Sequence, residues 1–93
     1  MRTRKYSFYF DASHGWLRVK RREILELGLV DTISRYSYMD KRYAYLEEDC
    51  DASLFLSKLK EMQTPYTIIE KDHGNISSIR SMEIYDRSAI RGC

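Results

Sequence analysis

The stretch KYSFYFDASHGWLRVK at residues 5–20 decides how the fold begins. Its first part alternates with the two-residue period of a strand. One side of that strand is aromatic and consists of Tyr6, Phe8 and Phe10. The other side consists of Lys5, Ser7 and Tyr9. The aromatic side is the one that we expect to face a core.

A second strand follows within the same stretch. The residues DASHG have turn chemistry, and WLRVK then alternates again. Leu17 and Val19 lie on one side of this run, and the opposite side carries Trp16, Arg18 and Lys20. The stretch therefore predicts a hairpin with one apolar side and one side of aromatic and basic residues.

The remaining chain supplies two helices and four more strands. RREILEL at 21–27 predicts a short helix that ends at Gly28, with Leu29 folding back onto Ile24. SRYSYM and YAYLEE predict a second hairpin around residues 40–42, and DASLFLSKLKEM at 51–62 predicts an amphipathic helix. Pro65 ends it, and YTII at 66–69 and RSMEIY at 80–85 predict the last strands.

This order predicts an α+β domain with the succession ββαββαββ. We expect a mostly antiparallel sheet with two helices on one face, a single domain over residues 1–85, and a C-terminal tail over residues 86–93. With 93 residues, of which 43% are hydrophobic and 13% aromatic, the chain can build one core without disulfides.

Composition narrows the environment and the class of protein. The apolar runs are far shorter than the roughly 20 residues of a membrane span, and the N-terminus lacks the pattern of a signal peptide. We therefore expect a cytoplasmic protein with no membrane partner. The net charge of +2 does not by itself demand nucleic acid, but the charges are segregated. Basic residues cluster early in the chain, whereas an acidic group consists of Glu47, Glu48, Asp49 and Asp51.

The acidic group lies in YAYLEEDCDASLF at residues 43–55, where a predicted strand passes into a predicted helix. Converging carboxylates bind hard cations, but neighbouring strand residues point to opposite faces, and the spacing of a calcium loop is absent. We expect Asp49 or Asp51 to cap the helix instead. No metal is predicted here.

Histidines and cysteines give no recognised catalytic pattern. His14 and His73 each precede a glycine and are expected in turns, and Cys50 and Cys93 are expected as free thiols. A zinc site built from these four residues lacks the close ligand pairs of zinc modules. Because nucleophile and phosphate-loop motifs are also absent, we predict no enzyme and no cofactor.

Three interpretations of the aromatic and basic side of the two hairpins stay open. The first is a protein interface, because Trp, Tyr and Arg dominate the affinity of such surfaces. The second is that these side chains are packed inside the domain as core residues. The candidate interface residues are Tyr9, Trp16, Arg18, Tyr36, Tyr38, Tyr43 and Tyr45. Alternatively, it binds nucleic acid by phosphate attraction and base stacking. The candidate nucleic-acid residues are Lys5, Arg18, Lys20, Arg21 and Arg22.

Three segments, DASHGWL at 11–17, ISRYSYM at 33–39 and YAYLEEDCDASLF at 43–55, resemble a set of small proteins encoded by bacteriophages and prophages. The shared order is D-A-x-H-G-W-L, then S-x-Y-S-Y, then Y-L-E-E-D-C-D. The resemblance implies an accessory protein that acts in a bacterial host cell. Many proteins of this kind, anti-CRISPR and other anti-defence inhibitors among them, act stoichiometrically by occupying a surface.

The leading hypothesis is therefore a non-enzymatic accessory protein that binds a host protein or ribonucleoprotein and thereby inhibits host defence. The alternative is a small nucleic-acid-binding regulator that uses the basic and aromatic side. A homodimer is compatible with either hypothesis.

Overall fold

A computed structural model describes residues 3–10, 14–72, 79 and 81–91 of the chain. Within these residues it has six strands and three helices. The strands are β1 (Arg4–Phe10), β2 (Gly15–Lys20), β3 (Tyr38–Met39), β4 (Tyr43–Glu47), β5 (Tyr66–Asp72) and β6 (Glu83–Ile84). The helices are α1 (Arg21–Glu26), α2 (Asp51–Glu61) and α3 (Arg87–Arg91). None of these helices has the length and apolar character that crossing a membrane would require.

The strands form one mixed sheet in the order β5-β1-β2-β4-β3-β6. Four of its five pairings are antiparallel, and β1 pairs with β5 in parallel, with Arg4 opposite Tyr66. The predicted α+β class is confirmed. The structure differs in detail, because the predicted strand at 34–39 is reduced to Tyr38–Met39 and a third helix follows the last strand.

The predicted faces of the first hairpin are confirmed by its register. Phe8 is opposite Leu17, and Tyr9 is opposite Trp16. The apolar side, called the helix face below, packs against all three helices in the main core. Residues that the sheet contributes to this core include Tyr6, Leu17, Val19, Met39, Ala44 and Leu46. The helices contribute Ile24, Ala52, Phe55, Leu59 and Ile90.

The end of α1 follows the sequence prediction closely. Gly28 has a φ of 71°, and its N–H donates to the Leu25 carbonyl at 3.1 Å. The N–H of Leu29 donates to the Ile24 carbonyl at 3.0 Å, which completes a Schellman motif. A residue without a Cβ adopts this left-handed conformation at little cost.

Residues 86–93 were expected to be a tail, and this expectation is wrong for the described part of that segment. Residues Arg87–Arg91 form α3, whose Ile90 is fully buried in the main core. Arg87 and Arg91 form ion pairs with Asp31, and the Tyr85 hydroxyl donates to the Val30 carbonyl at 2.7 Å. A single buried isoleucine in a short polar segment gave no helical period to detect.

Candidate functional site

The aromatic and basic side of the sheet, called the aromatic face below, carries a second, smaller core. Trp16 and Tyr45 are only 4% and 7% exposed, and Ile79 packs against them. Tyr9, Tyr38, Tyr43 and Met82 are half-buried around this group. Ile79 and Met82, which precede β6 in the sequence, therefore cover the centre of the aromatic face.

Ring contacts and one guanidinium organise this second core. The Trp16 and Tyr38 rings lie edge to face, with centroids 5.3 Å apart. The Arg18 guanidinium lies over Tyr43, 4.5 Å from the ring centroid, and 5.7 Å from that of Tyr9. Cation–π attraction thus uses the Arg18 charge within the chain. The Tyr45 hydroxyl donates to Asp40 Oδ2 at 3.1 Å, and burial with the Asp40 charge raises the pKa of Tyr45 to about 12.

The predicted protein interface is corrected by this burial. Trp16 and Tyr45 are not exposed anchors, because the second core encloses them. Tyr36 is 72% exposed but lies in a turn before β3, outside the strands of the aromatic face. The remaining candidates Tyr9, Arg18, Tyr38 and Tyr43 are half-buried. Of the three interpretations, core packing describes the centre of this face.

Asp51 has a different role from the predicted cap. The residue at the N-cap of α2 is Cys50, whose side chain makes no capping bond, and Asp51 is 1% exposed in the first turn. Its carboxylate accepts hydrogen bonds from the Ser34 N–H at 3.0 Å, the Ser34 hydroxyl at 2.6 Å and the Ser37 hydroxyl at 2.5 Å. Asp51 therefore ties α2 to the loop before β3.

The other carboxylates of the acidic group serve the turn or face solvent. Glu47 accepts hydrogen bonds from the N–H groups of Asp49 and Cys50, at 3.0 and 3.1 Å. Partial burial raises the pKa of Glu48, and the Asp49 and Glu47 charges raise it further. Within the described residues, no group of three or more His, Cys, Asp and Glu side chains is arranged to hold a metal ion.

The thiol and histidine positions bring no catalytic pair together among the described residues. Cys50 is an exposed free thiol, and loss of hydration with the Glu47 and Asp51 charges raises its pKa, which disfavours the nucleophilic thiolate. His14 is exposed beside Trp16, with ring centroids 6.3 Å apart. His73 and Cys93, the other two members of the considered zinc set, lie outside the described residues.

An open groove with a volume of about 1390 Å³ gathers basic side chains from four parts of the chain. Strand β1 contributes Lys5, the end of β2 contributes Lys20, and α1 contributes Arg22. The loop between β3 and β4 contributes Lys41 and Arg42. All five side chains are exposed, and none has an ion-pair partner in the described part of the chain. We call this feature the basic groove.

The two carboxylates that line the basic groove both form ion pairs with Arg4. Arg4 Nη1 lies 3.0 Å from Glu23 Oε2, and Arg4 Nη2 lies 2.9 Å from Glu26 Oε1. The Tyr6 hydroxyl also donates to Glu23 at 2.6 Å, and burial with this bond raises the pKa of Tyr6. Arg4 and Arg21, which also lines the groove, together offset the charge of these two carboxylates, so the five exposed cations account for the net positive charge of the described lining.

Arg21 stabilises the basic groove through hydrogen bonds to backbone carbonyls. Its guanidinium donates to the carbonyls of Asp40 at 2.7 Å and Ala89 at 2.8 Å, and the Arg21 N–H donates to the Arg42 carbonyl at 2.9 Å. These bonds hold the 40–42 loop beside α1. Arg21 is therefore a structural residue, which corrects its prediction as a phosphate ligand.

The structure keeps three of the five predicted nucleic-acid residues together as exposed cations: Lys5, Lys20 and Arg22. Arg18 is engaged in ring contacts on the aromatic face. Sequence reasoning missed Lys41 and Arg42, because they looked like the solvated tip of a hairpin. The signal that could have found them is register, since Lys20 is opposite Tyr43, the residue that follows Arg42.

Comparison with protein-family models, with curated proteins and with solved structures gives no match for this chain.

Proposed function

We propose that this chain is a small nucleic-acid-binding protein that holds a phosphate backbone in the basic groove. The observation that carries this proposal is a set of five exposed cations that have no ion-pair partner among the described residues: Lys5, Lys20, Arg22, Lys41 and Arg42. A protein that neutralises phosphates with such side chains releases condensed counter-ions, which is the main source of sequence-independent affinity.

The form of the groove favours recognition of the backbone over recognition of bases. The groove is open, and α1 is the helix that lines it among the described residues. This helix has six residues and packs on the helix face through Ile24. Such a helix is too short and too enclosed to enter a major groove. Tyr43 lines the groove, but the Arg18 guanidinium already lies over its ring, so this ring face is not open for base stacking. We therefore expect binding that depends on salt much more than on sequence.

The proposal modifies the hypothesis of protein docking. An inhibitor that docks through Trp16 and the neighbouring tyrosines would need these rings at the surface. Trp16 and Tyr45 are instead buried in the second core and cannot contact a partner there. The resemblance to phage-encoded proteins is compatible with a non-enzymatic regulator that acts on nucleic acid or a ribonucleoprotein in the host cell. Both the accessory role and the absence of catalysis stay predictions.

Fluorescence anisotropy with labelled single-stranded and duplex oligonucleotides tests the proposal. With three to five phosphates contacted, the slope of log K against log salt is expected between about −2 and −5. Arg42→Glu should weaken binding about tenfold at low salt and make the slope shallower by about one or more. Lys60→Glu is the matched control, since it reverses an exposed cation on α2 outside the groove.

Three results would overturn the proposal. The first is no binding of either oligonucleotide at low ionic strength by the folded protein. The second is an equal loss of affinity in Arg42→Glu and Lys60→Glu, because net charge and not the groove would then be responsible. Competition by polyglutamate as effective as that by unlabelled oligonucleotide would assign the groove to acidic protein instead.

A further inference from the structure

The two edges of the sheet differ in length. Strand β6, at one edge, has two residues, which is a common protection against pairing with other chains. Strand β5, at the other edge, has seven residues and pairs only with β1 among the described strands. The outer side of β5 is therefore the longest unpaired backbone of the described sheet.

The parallel register shows which backbone groups of β5 point outward. Arg4 is opposite Tyr66, and the Arg4 N–H donates to the Pro65 carbonyl at 3.0 Å. In a parallel pair, every second residue of a strand directs its backbone N–H and C=O groups toward the neighbouring strand. Because the Pro65 carbonyl faces β1, the backbone groups of Thr67, Ile69 and Lys71 also face β1. Those of the even-numbered residues, Tyr66 to Asp72, face outward.

One side chain on β5 is exposed although it is apolar. Ile69 is opposite Ser7, so it lies on the same side of the sheet as the aromatic face, and it is 45% exposed. It occupies the middle of the strand, with Thr67 and Lys71 two positions away on the same side. An exposed isoleucine at the centre of a long open edge is the pattern that pairing of strands between chains uses.

We propose that β5 pairs with β5 of a second copy, antiparallel and centred on Ile69. The two copies are related by a two-fold axis perpendicular to the sheet, so the aromatic faces of both copies lie on the same side of the joined sheet. Because a two-fold contact uses the same surface of both copies, the assembly ends at a dimer. Ile68 then lies opposite the partner copy's Glu70, and Thr67 opposite its Lys71. The two Ile69 side chains meet at a pair without hydrogen bonds, where side chains approach most closely.

Charge selects this register over its neighbours. Sliding by one step in one direction places Glu70 opposite Glu70, and a further step places Lys71 opposite Lys71, both of which are unfavourable. Sliding the other way places Asp72 opposite Thr64, which precedes β5, and so shortens the run of outward pairs within the strand. The register centred on Ile69 gives the longest ladder with no like charges opposite each other. The sequence of β5 is therefore complementary to itself in this antiparallel register, which is why we assign the edge to a second copy.

Ile69→Lys tests the proposal in sedimentation and light scattering over a concentration series. It places two ammonium groups face to face, and we expect the dimer dissociation constant to rise about tenfold or more. Ile84→Lys is the matched control, because Ile84 is 52% exposed on the opposite edge strand. Circular dichroism checks that both variants fold.

Ile69→Cys in a Cys50→Ser, Cys93→Ser background gives an independent measurement. Cα atoms at a central pair of this kind lie close enough for a disulfide, about 4.5 to 5.5 Å apart, so mild oxidation should yield a covalent dimer. Ile84→Cys should not. Only monomer at all concentrations, or a dimer that Ile69→Lys leaves intact and Ile69→Cys fails to cross-link, would overturn the proposal.

Discussion

Gly15 and Gly28 illustrate two different reasons for a residue without a side chain. A Cβ at Gly15 would lie 2.3 Å from Phe8 Cζ, so the absent atom is what lets the Phe8 ring pack over β2. A Cβ at Gly28 would meet nothing within 4 Å, and only its φ of 71° requires glycine. The first residue is constrained by space and the second by backbone conformation.

Alanine substitutions should separate the two effects. Gly15→Ala is expected to lower the free energy of unfolding by about 1–3 kcal/mol, because Phe8 must move or the strands must separate. Gly28→Ala is expected to cost about 1–2 kcal/mol from the left-handed backbone alone. Urea unfolding measures both. A second substitution, Phe8→Leu, should relieve Gly15→Ala but not Gly28→Ala, and equal relief would contradict this explanation.

The Asp51 carboxylate is the most consequential buried polar group described. Asp51→Asn keeps the shape but replaces a charged acceptor of three donors by a neutral amide, one end of which cannot accept. We expect a loss of about 2–3 kcal/mol in the free energy of unfolding. Asp49→Asn, which removes the same charge from an exposed side chain, is the control and should change stability by less than about 0.5 kcal/mol.

At the scale of elements, Ile79 and Met82, which precede β6, cover the centre of the aromatic face. Ile79 is 5% exposed and is the buried aliphatic contact of Trp16 and Tyr45 in the second core. Because this core is separated from the main core by the sheet, disturbing it should alter the aromatic face before it alters the helices.

Ile79→Ala should uncover the only tryptophan of the chain. We expect a red shift of Trp16 emission and stronger quenching by acrylamide, with little change in far-ultraviolet circular dichroism at room temperature. The cost in unfolding free energy should be about 2–4 kcal/mol. Leu54→Ala, a substitution of a part-exposed residue on α2, is the control, and an equal spectral change there would show general loosening.

Local pattern predicted those elements whose information is local. Alternation in residues 5–20 assigned both faces of the first hairpin, and Gly28 with Leu29 predicted the end of α1. The pattern failed where contacts are distant in sequence. Asp51 bonds to Ser34, and Arg21 bonds to the Ala89 carbonyl, so neither role was visible in a short window. For the same reason, Trp16 and Tyr45, which looked like surface residues, proved to be covered by Ile79 from a distant part of the sequence.

At the scale of the whole molecule, several buried phenols make stability depend on alkaline pH. Burial raises the pKa of Tyr45 and of Tyr85 to about 12, from 10.0. A raised folded pKa means that the folded state holds its proton more tightly than the unfolded state. Their contribution is therefore complete below pH 10 and is lost as the pH rises through about 12.

Urea unfolding at about pH 8, 10 and 11 should show a falling free energy of unfolding. Absorbance near 295 nm should show a group of tyrosines that ionise late. Tyr85→Phe removes one such phenol and should make the decline shallower, at the cost of the hydrogen bond to Val30. Tyr36→Phe changes an exposed ring and should leave the decline as it is. A decline identical in all three proteins would contradict this account.

The position of β1 between β2 and β5 has a consequence for biosynthesis. Strand β1 leaves the ribosome before the other strands of the described sheet, but its parallel neighbour begins only at Tyr66. Until then, a nascent chain leaves one edge of β1 without its strand partner, where a chaperone could bind. The sheet is thus expected to form in one concerted step, only after β5 has been translated.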